Sequence, residues 1–325
     1  MPTTRDAKGF PMIENSTPET PASASSDNAP TAFTPLLTTR NWNGEWKELQ
    51  KARRRADDSS YWDKRASTFT SKDSPTPYVQ RFLDLAGIRP GETVFDMGCG
   101  TGALSLPLGK RGHKVVAADF SQGMLERMGE ALARNGVTGV EPVRMSWEDD
   151  WAAHGVEPGS ADVCVASRSI ATADLEDSLM RLDAVARRRV CITLPTGSSP
   201  RIDERILSAI GLQRSLGRDY LYAFMILANR GIRPEVAYIT SARTDTYDSF
   251  DEAYQELARM VDSASGTMVP EAEREAALGR LRTWLDDNLT ENPDAGKADQ
   301  DDQPQKRLRL REPRVVTWAF IAWDK

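Results

Sequence analysis

The sequence is poor in the residues that bind metals and form disulfides. Three cysteines and two histidines stand in 325 residues. With no C-x-x-C pair and no His/Cys cluster, they indicate neither a disulfide framework nor a zinc site, and no metal is expected. Cys164 and Cys191 lie in apolar strand-like runs and read as buried filler. No apolar run approaches the roughly 18 residues of a membrane-spanning helix, and the start lacks a basic segment leading into an apolar one. A cytoplasmic protein without a membrane partner is the expectation. A basic excess is absent too: the net charge of -6 weighs against nucleic acid, which calls for a concentrated basic surface. Arg53-Arg54-Arg55 runs straight into Asp57-Asp58, and Arg187-Arg188-Arg189 leads into a strand, so both read as solvated faces rather than phosphate grips. Arg307, Arg309 and Arg311 alternate with Leu308 and Leu310, as in a strand with one wet face.

What remains is ordinary globular material, 39% hydrophobic and 28% charged, with one distinctive stretch. Thr93-Val94-Phe95-Asp96-Met97-Gly98-Cys99-Gly100-Thr101-Gly102 is an apolar run that stops at an acid and opens into alternating glycines. Glycines at this spacing let a strand turn sharply into a helix while its backbone stays bare enough for a ligand to touch. Gly98, Gly100 and Ala103 also satisfy the G-x-G-x-x-G/A dinucleotide fingerprint, which seats a pyrophosphate on a helix N-terminus. Asp96 separates the two readings. A carboxylate there repels a pyrophosphate, whereas it can hydrogen-bond and neutralise a ligand carrying an ammonium and a sulfonium. S-adenosylmethionine is such a ligand.

These residues resemble the first motif of the class I S-adenosylmethionine-dependent methyltransferases, apolar-apolar-(D/E)-x-G-x-G-x-G, at every position from Val94 to Gly102. The rest of the chain is consistent with that family. Lys114–Asp119 reads as a second strand, and Ser121 caps a helix whose Met124, Leu125, Met128, Ala131 and Leu132 share one face until Asn135-Gly136 stops it. Further strands are expected at about Val140–Met145, Asp162–Ala166 and Val190–Leu194, with a helix over Leu175–Val185. Strand and helix in turn predict an α/β, doubly wound, parallel sheet. Val236–Thr240 and Val315–Trp323 read as two closing strands separated by helices. The resemblance implies a mostly parallel seven-stranded sheet whose last strand is antiparallel, an ending that dinucleotide dehydrogenases lack.

Three segments fall outside this alternation. Residues 1–36, rich in Pro, Ser, Thr and Ala, are expected to be a disordered tail. Residues 37–90 are expected to supply N-terminal helices and a cap to a methyltransferase domain over 91–325. That domain is expected to carry a helical insertion at about 200–233 and a flexible acidic loop at about 290–306.

In a doubly wound sheet the ligand lies beyond the carboxyl ends of the strands, where strand order reverses. Asp96, Gly98, Cys99, Gly100, Thr101 and Gly102 are therefore expected at the cofactor. The resemblance implies that Asp119, closing the second strand, accepts the ribose hydroxyls. Phe120 either lies against the adenine or packs in the core. Where the family often has an acid for the adenine amino group this chain has Ser146, so either Ser146 makes that contact or Glu148 or Asp149 does from one turn later. Trp147 either stacks on the adenine or belongs to the core.

The acceptor side is less marked. Ser167, at the end of the fourth strand, is expected at the methionine end of the cofactor. Arg168 either orients an anionic acceptor or pairs with a nearby acid. There is no (D/N/S)-P-P-(Y/F) motif, no Pro-Cys nucleophile and no acid cluster of the metal-dependent catechol type. His113 begins the second strand, the far end from the cofactor, and His154 lies in a loop. Trp42, Trp46 and Tyr61-Trp62-Asp63-Lys64-Arg65-Ala66 stand where related enzymes fold a helix over the cofactor, as lid or as packing anchors. Tyr220 and Tyr222, in Asp219–Arg230, are the candidates to face the acceptor, with a plain buried helix as the alternative. The functional expectation is metal-independent methyl transfer from S-adenosylmethionine to a small molecule by in-line displacement. The alternatives are a protein or RNA methyltransferase, or an inactive S-adenosylmethionine-binding regulatory protein. Oligomeric state is not encoded in any motif.

Overall fold

The computed structural model of the protein describes residues 41–53, 62–63, 66, 75–170, 172–197, 202–212, 218–265, 269–299 and 303–325. Five strands, β1 (Val94–Met97), β2 (Val115–Asp119), β3 (Val140–Arg144), β4 (Ala161–Ser167) and β5 (Ala186–Pro195), run parallel. β6 (Glu235–Arg243) and a final strand, β10 (Arg314–Asp324), complete a seven-stranded sheet in the order β3-β2-β1-β4-β5-β10-β6. β10 is antiparallel to both neighbours, as the resemblance implied. Strand order reverses between β1 and β4, which puts the switch point beside the glycine motif.

Helices cover both faces. On one side α2 (Pro77–Ala86), α3 (Ser105–Lys110) and α4 (Gln122–Arg134) pack Phe82, Leu106 and Met128 onto Val94, Val165 and Phe320. On the other, α1 (Trp42–Arg53), α5 (Leu175–Val185) and α7 (Asp219–Asn229) pack Trp46, Leu179 and Ile226 onto Phe95, Cys164 and Ile321. Neighbouring strand residues such as Val94 and Phe95 thus serve opposite cores, the alternation a pleated strand imposes.

Register carries the candidate residues to one place. Asp96 lies opposite Ala117 on β2 and Val165 on β4. Asp119 and Ser167 stand two positions further along those strands, so they share its face. Thr193 lies opposite Ser167. All four occupy the α2–α4 face at the carboxyl ends of the strands.

Helices also lie within the segment at about 200–233. Beyond α6 (Glu204–Ala209) and α7, a larger excursion separates β6 from β10: β7 (Thr246–Tyr247), α8 (Phe250–Ser265), α9 (Glu271–Asn288), β8 (Leu289–Glu291) and β9 (Leu308–Leu310). The three short strands form a second sheet, β7-β9-β8. Ile206, Leu257, Leu281 and Leu310 close a third core there. The acidic stretch is hydrogen-bonded where it is described: Asn292 N–H donates to the Arg307 carbonyl at 2.7 Å and Gly296 N–H to that of Gln305 at 2.8 Å. The arginines at 187–189 are a paired seam rather than a solvated face, because acids meet each of them: Arg187 with Asp162 at 2.7 Å, Arg189 with Glu235 at 2.8 Å, and Arg188 with Glu92. The expected tail at 1–36, Arg54-Arg55, Tyr61 and Lys64-Arg65 lie outside the described residues.

Candidate cofactor and acceptor site

The turn after β1 is held by its own backbone. The N–H groups of Gly98 and Cys99 both donate to the Ala118 carbonyl, at 2.8 and 2.9 Å. Gly98 and Gly102 are needed for close approach: a Cβ on Gly98 would sit 2.3 Å from Ser169 Cβ, and one on Gly102 2.7 Å from Met128 Cγ. Gly100 differs. Its φ is +56°, yet a Cβ there would meet nothing within 4 Å. The turn is packed from below and bare above, the form of a cradle for a ligand that touches backbone.

Two buried carboxyls flank that open position. Asp96 is 1% exposed and accepts from Ser105 Oγ at 2.6 Å. Burial, reinforced by the charge of Asp119 and opposed by the Ser105 hydroxyl, pushes Asp96 up to about 7. Asp119 accepts from Gly100 N–H through one oxygen and from Ser121 N–H through the other, both at 2.9 Å. Its carboxyl is also raised, chiefly by burial, with the charge of Asp63 adding and the backbone donors opposing. The donor set fits a cationic, ribose-bearing group: a buried acid near neutrality is stabilised as a carboxylate by an adjacent positive charge, and carboxylate oxygens retain lone pairs for hydroxyls. Cys99 is buried, and burial holds its thiol well above the ordinary range, so it lines the turn rather than acting as a nucleophile. Thr101 and Phe120 are half-buried beside it.

The segment at Asp63 reaches this edge. Asp63 accepts from Ser121 Oγ at 2.6 Å and from Gly123 N–H at 3.1 Å, which ties it to the first turn of α4. After β3, Ser146 N–H donates to Asp149 at 2.8 Å and Ser146 Oγ accepts from Glu148 N–H at 3.2 Å, forming a local turn. Trp147 is half-buried, donates to the Ser169 carbonyl at 3.2 Å, and its ring centroid lies 5.7 Å from that of Trp151.

A second polar cluster stands at the ends of β4 and β5. Tyr78 Oη lies 2.9 Å from both Ser167 Oγ and Thr193 Oγ1. Arg168 N–H donates to Thr193 Oγ1 at 3.0 Å, and the Arg168 guanidinium carbon stands 4.3 Å from the Tyr78 ring centroid. Ser169 Oγ donates to the Met97 carbonyl at 2.7 Å, binding this loop to the glycine turn. Tyr78 and Thr193 are absent from the sequence reading. The one signal was that Tyr78 falls in the apolar stripe of α2 with Val79, Phe82 and Leu83, where a buried hydroxyl requires a partner.

The two tyrosines of α7 are placed differently. Tyr222 donates to Glu45 at 2.7 Å and packs edge-on to Trp46, so its described partners belong to α1. Tyr220 pairs with exposed Tyr238, ring centroids 6.2 Å apart. His113 is buried with Nδ1 3.0 Å from the Glu92 carbonyl, and His154 stands 4.0 Å from Asp149. Among the described residues no group of three or more His, Cys, Asp or Glu side chains is placed to hold a metal ion.

Parallel strands, switch point, glycine turn and reversed last strand together define a Rossmann-like methyltransferase fold. Residues 94–188 match a family model described as a methyltransferase domain. The chain belongs to the class I S-adenosylmethionine-dependent methyltransferases. It is 31% identical over 209 residues to an uncharacterized protein of Haemophilus influenzae, a match spanning 64% of this chain and 75% of that one. It is 35% identical over 124 residues to nocamycin O-methyltransferase of Saccharothrix syringae, covering 37% of this chain and 41% of that protein. A shorter match, 39% over 62 residues, covers 19% of this chain and 14% of the 23S rRNA (uracil(1939)-C(5))-methyltransferase RlmD of Alkalilimnicola ehrlichii.

Proposed function

We propose that this protein methylates a small-molecule acceptor without a metal, in the cytoplasm, with α1 and the Asp63 segment as a cap. The observation that carries the reading is the shared face. Asp96 and Asp119 occupy it beside the open Gly100, and the Tyr78–Ser167–Thr193 cluster occupies it at the adjoining strand ends. S-adenosylmethionine supplies a methyl group already activated on a sulfonium, so the protein's part is to hold two reactants in line and exclude water, worth about 7–11 kcal/mol of barrier in favourable cases.

Asp96 would neutralise the amino-acid end, Asp119 would accept ribose hydroxyls, and Phe120, Ser146 and Trp147 would border the adenine. Ser167 would border the methionine end, and Tyr78 would fix the acceptor's side of the pocket. A small acceptor is supported by the net charge of -6, by the Tyr78 hydroxyl that α2 brings to the ends of β4 and β5, and by the longer match to nocamycin O-methyltransferase than to an rRNA enzyme. No helix among the described residues is long and apolar enough to cross a membrane.

Calorimetric titration with S-adenosylmethionine, S-adenosylhomocysteine and NAD tests the cofactor assignment: both sulfur ligands bind, and NAD does not. Tighter binding of NAD would contradict it. Incubating the protein with labelled cofactor and either the small-molecule or the RNA fraction of a cell extract tests the acceptor. Label entering only the RNA fraction would overturn the small-molecule assignment.

A further inference from the structure

Arg168 is the one described residue other than glycine with a positive φ, at 58°. That region disfavours any side chain with a Cβ, so a neighbourhood that enforces it on arginine points to a role. Two contacts enforce it here, the 3.0 Å hydrogen bond from its N–H to Thr193 and the 4.3 Å approach of its guanidinium to the Tyr78 ring. The ring is fixed in turn, because its hydroxyl lies 2.9 Å from two side-chain oxygens. The exposed guanidinium nevertheless has no ion-pair partner among the described residues, whereas Arg187, Arg188 and Arg189 on the next strand all have one. An arginine held at a positive φ over a fixed ring, and paired with no carboxylate among the described residues, is preorganised for an anion.

We propose that Arg168 anchors a carboxylate on the methyl acceptor, so that the acceptor is a small organic acid. This rests on the methyltransferase reading above. A guanidinium held over a ring keeps its N–H groups as a planar fork, which matches a carboxylate with two parallel hydrogen bonds. The face already carries two buried acids, Asp96 and Asp119. One guanidinium balances a single negative charge better than the double charge of a phosphate monoester. Tyr78 acts as a positioning residue, since it touches the acceptor's anchor and holds it in place.

The test titrates benzoate, phenyl phosphate and benzamide into the full-length protein saturated with S-adenosylhomocysteine. Benzoate is expected to bind saturably, phenyl phosphate more weakly and benzamide not at all. Arg168→Gly keeps the backbone conformation and removes the charge. It is expected to weaken benzoate by about tenfold or more, the scale of a charge-assisted pair, while leaving S-adenosylhomocysteine affinity unchanged and raising the melting temperature. Arg168→Lys keeps charge without the fork and should fall between. Absence of saturable benzoate binding, unchanged binding in Arg168→Gly, or tighter phenyl phosphate would overturn the proposal. An equal loss of S-adenosylhomocysteine affinity in Arg168→Gly would also overturn it, by assigning the arginine to the cofactor's own carboxylate. If S-adenosylhomocysteine failed to bind the wild type, the methyltransferase reading itself would fall, and the proposal with it.

Discussion

At the scale of single residues, the glycines of the first turn divide the work between packing and access. Gly98→Ala forces a Cβ into Ser169 at a φ of +71°, so it should destabilise the protein by roughly 2–4 kcal/mol, read as a lower denaturant midpoint. Gly100→Ala meets open space and costs only the conformational penalty, about 1 kcal/mol. Its larger effect should be on cofactor affinity, because the new methyl group stands where the proposed site has the cofactor touch backbone. Equal effects of the two substitutions on binding and stability would refute this division. The motif residues were legible because their roles are local: an acid and three glycines within a few positions fix the turn by themselves. Tyr78 and Thr193 were not, since their meeting depends on the register of β4 against β5 and on how α2 docks, neither of which a linear pattern encodes.

At the scale of elements, α1 is anchored by tertiary contacts more than by helix propensity. Trp46 is 1% exposed and donates to the Thr172 carbonyl at 2.8 Å, while Lys47 and Asn43 both bond Asp174, the N-cap of α5. α1 thereby fastens the loop that follows β4 and carries Arg168 and Ser169. Trp46→Ala should cost about 3–5 kcal/mol, and because that loop borders the site, acceptor turnover should fall before the fold is lost. Thermal unfolding alongside activity separates the two effects; a stable variant with unchanged turnover would show the helix to be dispensable. Elements with a broad apolar stripe, such as α4, were readable down to their caps. α9 was not, because its fully buried residues are only Ala277, Leu281 and Leu285, flanked by half-buried Leu278 and Trp284, a narrow apolar stripe among many charges. The acidic stretch after it was read from composition, which does not reveal that residues near 292 and 307 face each other across a pair of strands.

At the scale of the whole molecule, topology and electrostatics converge on one face of the sheet. The reversal of strand order leaves the carboxyl ends of β1 and β4 open, and the α2–α4 side of that opening gathers two acids into a buried environment. Burial of this kind opposes folding at neutral pH. A carboxyl raised to about 7 in the folded chain, against about 3.9 unfolded, binds a proton more readily in the native state. Its contribution is therefore favourable at low pH and is lost as pH rises through about 7, by roughly 1–4 kcal/mol. Asp96→Asn should remove this dependence and stabilise the cofactor-free protein above neutrality, while weakening cofactor binding. On the role proposed for Asp96, stability and function are opposed at this residue.

The same acid offers the most direct test of the assignment. If the ammonium at the cofactor's amino-acid end is held by ionised Asp96, binding must release the proton that the free protein carries below about pH 7. Calorimetric titration of S-adenosylhomocysteine should then show an affinity about tenfold higher near pH 8 than near pH 6, with proton release at the lower pH and neither effect in Asp96→Asn. Equal affinities across that range, or an Asp96→Asn protein that binds as tightly as the wild type, would contradict the electrostatic account of the site.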